Sequence, residues 1–273
     1  MLRASLFLKS LLILGLVVLT GFQKTTTKTT FSLPYTGSIY TTDNLGNLFI
    51  GRTDNSIEKY DLNGQLNARV NFKLYGKLTQ LDVSNPFEIY AFYRDQQILL
   101  IMDNLLSVQQ KINLSDYSIG EITAVCRSFD NGIWFFDSGT MRLKKMDKKG
   151  QVLIESMPFG SWTSAQWYPT KMIDNDKNIF VFDPSNGVAI FDVFCNYYKL
   201  VPLSKTLDFQ VRKSKILYFE WPYLKSFDIK YLKTDSLYFS SSAKNIRSET
   251  NLFFVERSDS IFVKKIIPGL GSD

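Results

Sequence analysis

The sequence predicts an all-β protein, a six-bladed β-propeller whose N-terminal strand closes the last blade. Three observations predict this fold. A hairpin pattern occurs six times, its copies begin about 40 residues apart, and a spare strand precedes the first copy while the last copy lacks one. Repeats of that length, built only from strands and turns, have the size of a four-stranded propeller blade. The 273-residue chain is 45% hydrophobic and 15% aromatic, which is enough apolar material for one large core.

The hairpin pattern has the same order of features in every copy. Four or five apolar or aromatic residues predict a strand buried on both faces, a short polar turn follows, and a second strand completes the hairpin. The copies are Asn47–Asp61, Glu88–Asp103, Gly132–Asp147, Asn178–Asp192, Lys215–Asp228 and a more degenerate Asn251–Ile266.

Five of the copies end in an aspartate, and we interpret these aspartates as turn residues. Their carboxylates are expected to accept hydrogen bonds from backbone N–H groups of the turn that follows. They are Asp61, Asp103, Asp147, Asp192 and Asp228.

One further strand is predicted on either side of each hairpin, which completes a blade. Outer strands follow the hairpins, at residues 66–74, 107–114, 151–159, 197–203 and 236–242. Inner strands precede them, at residues 37–44, 78–84, 122–128, 170–176, 208–214 and 244–249. The sixth hairpin has no outer strand after it. We therefore expect residues 29–35 to pair with it, because this pairing joins the chain ends and removes an exposed sheet edge.

The stretch Ser128–Gly150 resembles the repeat of NHL-type and related six-bladed propellers. It has their aspartate–glycine turn, a strand that ends in aspartate, and a second strand followed by Asp-x-x-Gly. The resemblance extends over nearly the whole mature chain and implies blade architecture. It implies no ligand, because propellers include both binding modules and enzymes.

The first 22 residues are typical of an export signal, so we predict a protein that is periplasmic, at the cell surface or secreted. Arg3 and Lys9 accompany an apolar run, Leu11–Phe22, that is short for a membrane span. An uncleaved N-terminal anchor is the alternative, since the cleavage site is weak. Phe22 stands where a lipobox has its acylated cysteine, which excludes a lipid anchor there. Residues 23–30 are predicted to be a flexible leader, and residues 31–273 a single propeller domain.

Composition excludes several classes of function. The chain has no histidine, so no Ser-His-Asp or Cys-His catalytic arrangement exists. The net charge of +6 comes from interspersed residues without a basic run, which argues against a nucleic-acid partner. Cys126 and Cys195 are either paired, as an exported protein allows, or two buried free thiols.

One position of the repeat carries a carboxylate in four consecutive blades. The last residue of the buried hairpin strand is Asp137, Asp183, Glu220 or Glu256 there. Such carboxylates could hold a divalent cation such as Ca²⁺, and the arrangement is similar to gluconolactonase-like six-bladed propellers, which hold an ion at the channel mouth. The alternative, which turn chemistry favours, is that each acid binds its own hairpin turn and that the protein has no cofactor.

Unusual residues gather in the hairpin turns and in the loops that lead into the inner strands. Trp221-Pro222-Tyr223 replaces a small polar turn, and an aromatic loop precedes the fourth inner strand. We predict that this face binds a partner, through Arg52, Arg94, Trp162, Trp167, Tyr168, Trp221 and Tyr223. The alternative is that the aromatic rings pack on the core.

Two weaker patterns are expected to be plain turns. Residues 128–134 resemble a sialidase aspartate box that is one residue short. Residues 174–178 have the D-x-D-x-N start of a calcium loop, without its glycine and distal glutamate.

Two functions of different classes follow from these patterns. The first is a non-enzymatic binding or scaffold module for a protein, peptide or glycan outside the cytoplasm. The second is a metal-dependent, lactonase- or esterase-like hydrolase that uses the acidic cluster at the channel mouth. The missing catalytic motifs favour the first, and the four aligned carboxylates are the reason for the second.

Overall fold

Twenty-four strands form six antiparallel sheets of four strands in the computed structural model, which describes residues 27–117, 119–203, 206–239 and 241–266. Five sheets consist of consecutive strands, and the sixth takes its outer strand from the N-terminal end of the described chain. The predicted six-bladed β-propeller is therefore confirmed. The predicted export signal, residues 1–22, lies outside the described residues.

The two inner strands of each blade lie nearest the central channel. The innermost strands are β2 (Gly37–Thr42), β6 (Gln80–Asn85), β10 (Ile122–Arg127), β14 (Lys171–Asn175), β18 (Phe209–Arg212) and β22 (Asn245–Glu249). The second strands are β3 (Leu48–Arg52), β7 (Glu88–Tyr93), β11 (Ile133–Asp137), β15 (Asn178–Asp183), β19 (Lys215–Glu220) and β23 (Leu252–Arg257).

The two outer strands complete each blade. The third strands are β4 (Ser56–Tyr60), β8 (Ile98–Met102), β12 (Arg142–Met146), β16 (Gly187–Asp192), β20 (Tyr223–Asp228) and β24 (Ser260–Ile266). The outermost strands are β5 (Leu66–Asn71), β9 (Val108–Asn113), β13 (Val152–Glu155), β17 (Tyr197–Val201), β21 (Lys233–Tyr238) and β1 (Thr27–Pro34). The outer strand of blade 5 begins and ends earlier than predicted, because Tyr238 already pairs with Tyr223, the first residue of β20.

Short 3-10 segments interrupt four of the loops. They are Lys73–Tyr75, Arg94–Gln96, Leu114–Asp116 and Phe159–Ser161. No helix within the described ranges is long and apolar enough to cross a membrane.

The ring closes where β1 pairs with β24. The pairing runs from Thr27 opposite Ile266 to Pro34 opposite Ser260, with one irregularity between Thr29 and Phe31. The side chain of Arg52 then joins this strand to blade 1, since its Nη1 donates to the Pro34 carbonyl at 2.7 Å. The predicted closure is confirmed, and the strand begins at Thr27, within the stretch predicted as a flexible leader.

The second strands are buried on both faces because each contacts two neighbouring blades. In β11, Ile133 and Phe135 pack with residues of blade 2, whereas Trp134 and Phe136 pack with residues of blade 4. All four side chains are fully buried. Burial of each contributes about 1.5–3 kcal/mol, so the blade interfaces supply most of the core. The second strands are continuous apolar runs in the sequence because their alternate side chains pack on the two neighbouring blades.

The hairpin-ending aspartates bind their turns as predicted. In each, one carboxylate oxygen accepts two backbone N–H groups of the following turn at 2.8–3.1 Å. The prediction for Asp61, Asp103, Asp147, Asp192 and Asp228 is confirmed.

The two cysteines are free and buried in one cluster between blades 3 and 4. Burial raises the pKa of Cys195 to about 12 and the pKa of Cys126 above its usual value. Both thiols are therefore protonated at neutral pH and pack as small apolar groups.

Deletion of residues 24–35 is expected to lower the melting temperature by about 10 °C or more, because β24 becomes an exposed edge and the apolar contacts of β1 are lost. Differential scanning calorimetry of the full chain measures this shift. Deletion of residues 24–26 alone is the control and should leave the melting temperature unchanged. An unchanged melting temperature in the longer deletion contradicts the closing role of β1.

Candidate functional site

The strand order gives the propeller two distinct faces around its channel. We call the front face the one formed by the turns between second and third strands and by the loops leading into the inner strands. The back face holds the turns between inner and second strands and between third and outer strands. This division follows from antiparallel pairing in every blade.

A cavity of about 870 Å³ opens at the channel mouth on the front face. Pockets of 300–1,000 Å³ are typical of sites that bind small ligands or anchoring side chains. The lining combines aromatic, hydroxyl and charged groups from blades 1, 2, 4, 5 and 6. It includes Tyr35, Tyr40, Thr79, Gln80, Thr170, Lys171, Asp208, Trp221, Ser241, Lys244, Asn245 and Glu256.

An ionic network of three side chains lies below the mouth, in which Arg247 is buried and Lys171 and Asp208 are largely buried. Asp208 accepts from Lys171 Nζ at 2.5 Å and from Arg247 Nη1 through its other oxygen. Lys171 also donates to the Phe209 carbonyl at 2.9 Å. These groups come from blades 4, 5 and 6, so the network bonds three blades across the channel and carries one net positive charge.

Burial and charge act against each other in this network. Burial alone would raise the pKa of Asp208, but the adjacent Lys171 and Arg247 outweigh it and hold that pKa below its usual value. Burial is the strongest influence on Lys171 and lowers its pKa. Asp208 is therefore ionised at neutral pH and balances one of the two cations.

The wall of the cavity contains aromatic rings, and one of its buried hydroxyls lacks a hydrogen-bond partner within the described residues. The rings of Tyr35 and Tyr40 meet edge to face at 5.4 Å. The Tyr40 hydroxyl is buried without a hydrogen-bond partner in the described part of the chain, and burial raises the pKa of Tyr40. Burial also raises the pKa of Glu256, which makes this carboxyl easier to protonate than an exposed glutamate. A ligand group at the mouth could thus meet hydroxyl, carboxyl and cationic partners.

Trp221 is the predicted binding residue that lines this cavity. Its side chain is 63% exposed, and its indole Nε1 donates to the Ser241 carbonyl at 3.0 Å. One hydrogen bond holds the ring beside the mouth while its face stays accessible. Tyr223, in the same hairpin, is partly exposed and packs edge to face on Tyr238.

Arg52, Arg94 and Tyr168, three other members of the predicted face, do not line this cavity. Arg94 stacks over the ring of Tyr168 at 5.4 Å, and the Tyr168 hydroxyl donates to Glu121 at 2.9 Å. Arg52 is largely buried against Glu58 and joins blade 1 to the closing strand. Arg52 therefore has a structural role that its place in the repeat did not indicate.

The predicted partner contact of Trp162 and Trp167 stays a prediction, and the structure places both rings against the core. Trp167 is 2% exposed and belongs to the core between blades 3 and 4. Trp162 is partly buried and stacks on Tyr197 at 4.2 Å. The aromatic loop folds back because Phe159 forms a buried centre that both indoles contact.

Three of the four aligned carboxylates have partners of their own, and the fourth lines the front cavity. Asp137 accepts backbone N–H groups of Gly139 and Thr140, and Asp183 likewise binds its own turn at Ser185. Glu220 pairs with Lys225 at 2.7 Å across its hairpin. Glu256 lines the front cavity. Among the described residues no group of three or more Asp, Glu, Cys or His is arranged to hold a metal ion.

The two weaker sequence patterns meet in one interblade contact. The half-buried carboxylate of Asp174 accepts from the Ser128 hydroxyl, the Phe129 N–H and the Trp134 indole at 3.0–3.2 Å. The residues that resemble an aspartate box and a calcium loop thus join blade 3 to blade 4. Both are turns, as expected.

Sequence reasoning missed the network of Lys171, Asp208 and Arg247. The three residues occupy non-equivalent positions of their repeats, so no alignment column contains them. The signal was a charged residue at or within each of three inner strands that line the channel, where burial requires a partner.

Comparison with known proteins shows the fold. The sequence matches no protein-family profile and no curated protein sequence. Virginiamycin B lyase from Staphylococcus aureus superposes with a TM-score of 0.60 at 12% identity, over 89% of this chain and 100% of that chain. The WD40 domain of Neurospora crassa Pan2 gives 0.60 at 13% identity, over 85% and 79%. BBS1N, solved in complex with ARL6DN, gives 0.56 at 11% identity, over 91% and 99%. These structures share the propeller fold with this chain.

Substitution Trp167→Ala is expected to lower the free energy of unfolding by about 3–5 kcal/mol, because it leaves a cavity in the core. Trp221→Ala, its matched control on the same face, should change that free energy by no more than about 0.5 kcal/mol. Urea denaturation followed by circular dichroism measures both. Equal stabilities for the two variants would show that Trp167 is not a core residue.

Substitution Asp208→Asn is expected to lower the free energy of unfolding by about 3 kcal/mol at neutral pH, since it leaves Lys171 and Arg247 together without their carboxylate. The folded-state pKa of Asp208 is lowered, so its stabilisation is fully present above about pH 4 and is lost as pH falls through the folded pKa.

The stability difference between wild type and Asp208→Asn should therefore narrow below about pH 4. Urea denaturation from neutral to acid pH measures it, with Asp95→Asn, an exposed front-face acid, as the control. A difference that stays constant down to acid pH would contradict an ionised Asp208.

Proposed function

We propose that this chain is an exported, non-enzymatic binding module that holds a peptide segment of a partner protein at the front-face channel mouth. The observation that carries the proposal is the cavity of about 870 Å³ with Trp221 at its rim and two members of the ionic network, Lys171 and Asp208, in its wall. The accessible indole can pack on an apolar side chain of a peptide, and the fixed charges beside it can bind the polar backbone groups on either side of that side chain.

The fold gives this proposal a general basis. Propellers present a rigid ring of loops around a channel, and rigid loops bind without a large ordering cost. One neighbour in fold, BBS1N, was solved in complex with ARL6DN. The lyase among the neighbours is the reason to weigh catalysis as well.

A metal-dependent hydrolase has less support from the described residues. Asp137 and Asp183 bind their own turns, and Glu220 is paired with Lys225, so three of the four candidate carboxylates are engaged elsewhere. The export part of the proposal rests on the N-terminal basic residues and the apolar run Leu11–Phe22.

Peptides selected from a random library on the full chain are expected to lose about 30-fold in affinity on Trp221→Ala, the effect of removing a hot-spot aromatic worth about 2 kcal/mol. Leu74→Ala is the control, because Leu74 is exposed on the same face but does not line the cavity. Fluorescence anisotropy measures both affinities.

Two outcomes would overturn the proposal. Selected peptides that bind Trp221→Ala as well as wild type would place the site elsewhere. The second outcome is that oligosaccharides, but no peptides, bind the wild type and lose affinity on Trp221→Ala. The partner would then be a glycan.

A further inference from the structure

The back face carries apolar side chains at the tips of its turns. Seven of them are between 51% and 70% exposed and come from blades 1 to 5: Leu45, Leu62, Phe87, Leu105, Phe129, Phe194 and Leu232. Exposed polar residues are the norm at such tips, and a leucine or phenylalanine contributes nothing to turn geometry. A set of apolar tips on one face marks a surface that is covered in use.

These tips are held in place by the turns beneath them. The backbone N–H of Leu45, Leu105 and Phe194 each donates to the carboxylate of the aspartate two residues earlier, at 2.9–3.0 Å. Phe87 is fixed in the same way by Asn85, at 3.0 Å. The side chains therefore project from locked turns, and little conformational entropy is lost when they enter an apolar phase.

Among the exposed charged side chains of the back-face turns, lysines outnumber the acids, which are Asp130 and Asp176. Lys149, Lys177, Lys213 and Lys230 are exposed on back-face turns. The aspartates of the hairpin-ending turns direct one carboxylate oxygen at backbone N–H groups. Apolar tips interspersed with lysines match an interface of acyl chains below anionic headgroups.

The described chain also begins at this face. Thr27, the first residue of β1, pairs with Ile266 at the back-face end of blade 6. In the sequence, residues 23–26 alone separate Thr27 from the apolar run Leu11–Phe22. A bilayer that received this run would thus lie next to the back face.

We propose that the back face lies on the surface of an anionic lipid bilayer, with the front-face cavity directed away from it. This assignment is independent of the proposed peptide site, which occupies the opposite end of the channel. The bilayer fits better than a protein partner because the tips are spread over five blades, and none of them lines the cavity of about 440 Å³ at the back-face end of the channel.

The test uses the full chain with one added cysteine that carries an environment-sensitive fluorophore. Leu105→Cys places the label on the back face, and Leu74→Cys is the matched front-face control. Cys126 and Cys195 are buried, so the added thiol is the one that reacts. With phosphatidylcholine vesicles that contain phosphatidylglycerol, we expect a blue shift and about a fivefold fall in iodide quenching at Leu105→Cys, with no change at Leu74→Cys.

A second experiment distinguishes contact of the back face with the bilayer from attachment through the N-terminal apolar run alone. Phe87→Ser combined with Phe194→Ser should reduce protection of the Leu105→Cys label about tenfold, whereas Leu74→Ser should not. Circular dichroism confirms that these exposed substitutions leave the fold intact. Two results with vesicle-bound protein would overturn the proposal. In the first, iodide still quenches the label at Leu105→Cys. In the second, the labels at Leu105→Cys and Leu74→Cys are equally protected from iodide.

Discussion

The pairing of β1 with β24 is the constraint on which the rest of the molecule depends, because without it blade 6 loses its outer strand and the two ends of the ring are no longer joined. Seven residue pairs join these strands, and the side chain of Arg52 extends the closure to blade 1 through the Pro34 carbonyl. The outer part of blade 6 thus comes from the opposite end of the described chain. The integrity of blade 6 therefore depends on a contact between residues far apart in the chain.

Contacts between neighbouring inner strands then set the width of the channel. The amide of Gln80 bonds both backbone groups of Val125, and Gln210 bonds both of Ser248 in the same manner. Asp174 joins blades 3 and 4 farther toward the back face. These polar contacts tie strands that are not hydrogen-bonded as a sheet, and buried polar groups of this kind specify one arrangement of the core.

The two faces differ because their turns have different chemistry. Back-face turns are short and locked by aspartate carboxylates, which leaves apolar tips projecting from a rigid rim. Front-face loops are longer, and the largest of them folds its indoles into the core through Phe159. The cavity at the mouth exists because residues from five blades surround a channel that their side chains do not fill.

The sequence by itself determined the blade count, the strand order, the closing strand and the role of the turn aspartates. Each depends on local chemistry that repeats: apolar alternation, turn residues and an unpaired strand at each end of the pattern. Only the tertiary structure decided that Trp167 is core and that Trp221 lines the mouth, since both are tryptophans of front-face loops and burial depends on the neighbouring blade. The network of Lys171, Asp208 and Arg247 was likewise beyond the sequence. Its members lie in three different repeats and meet across a channel whose geometry no single repeat encodes.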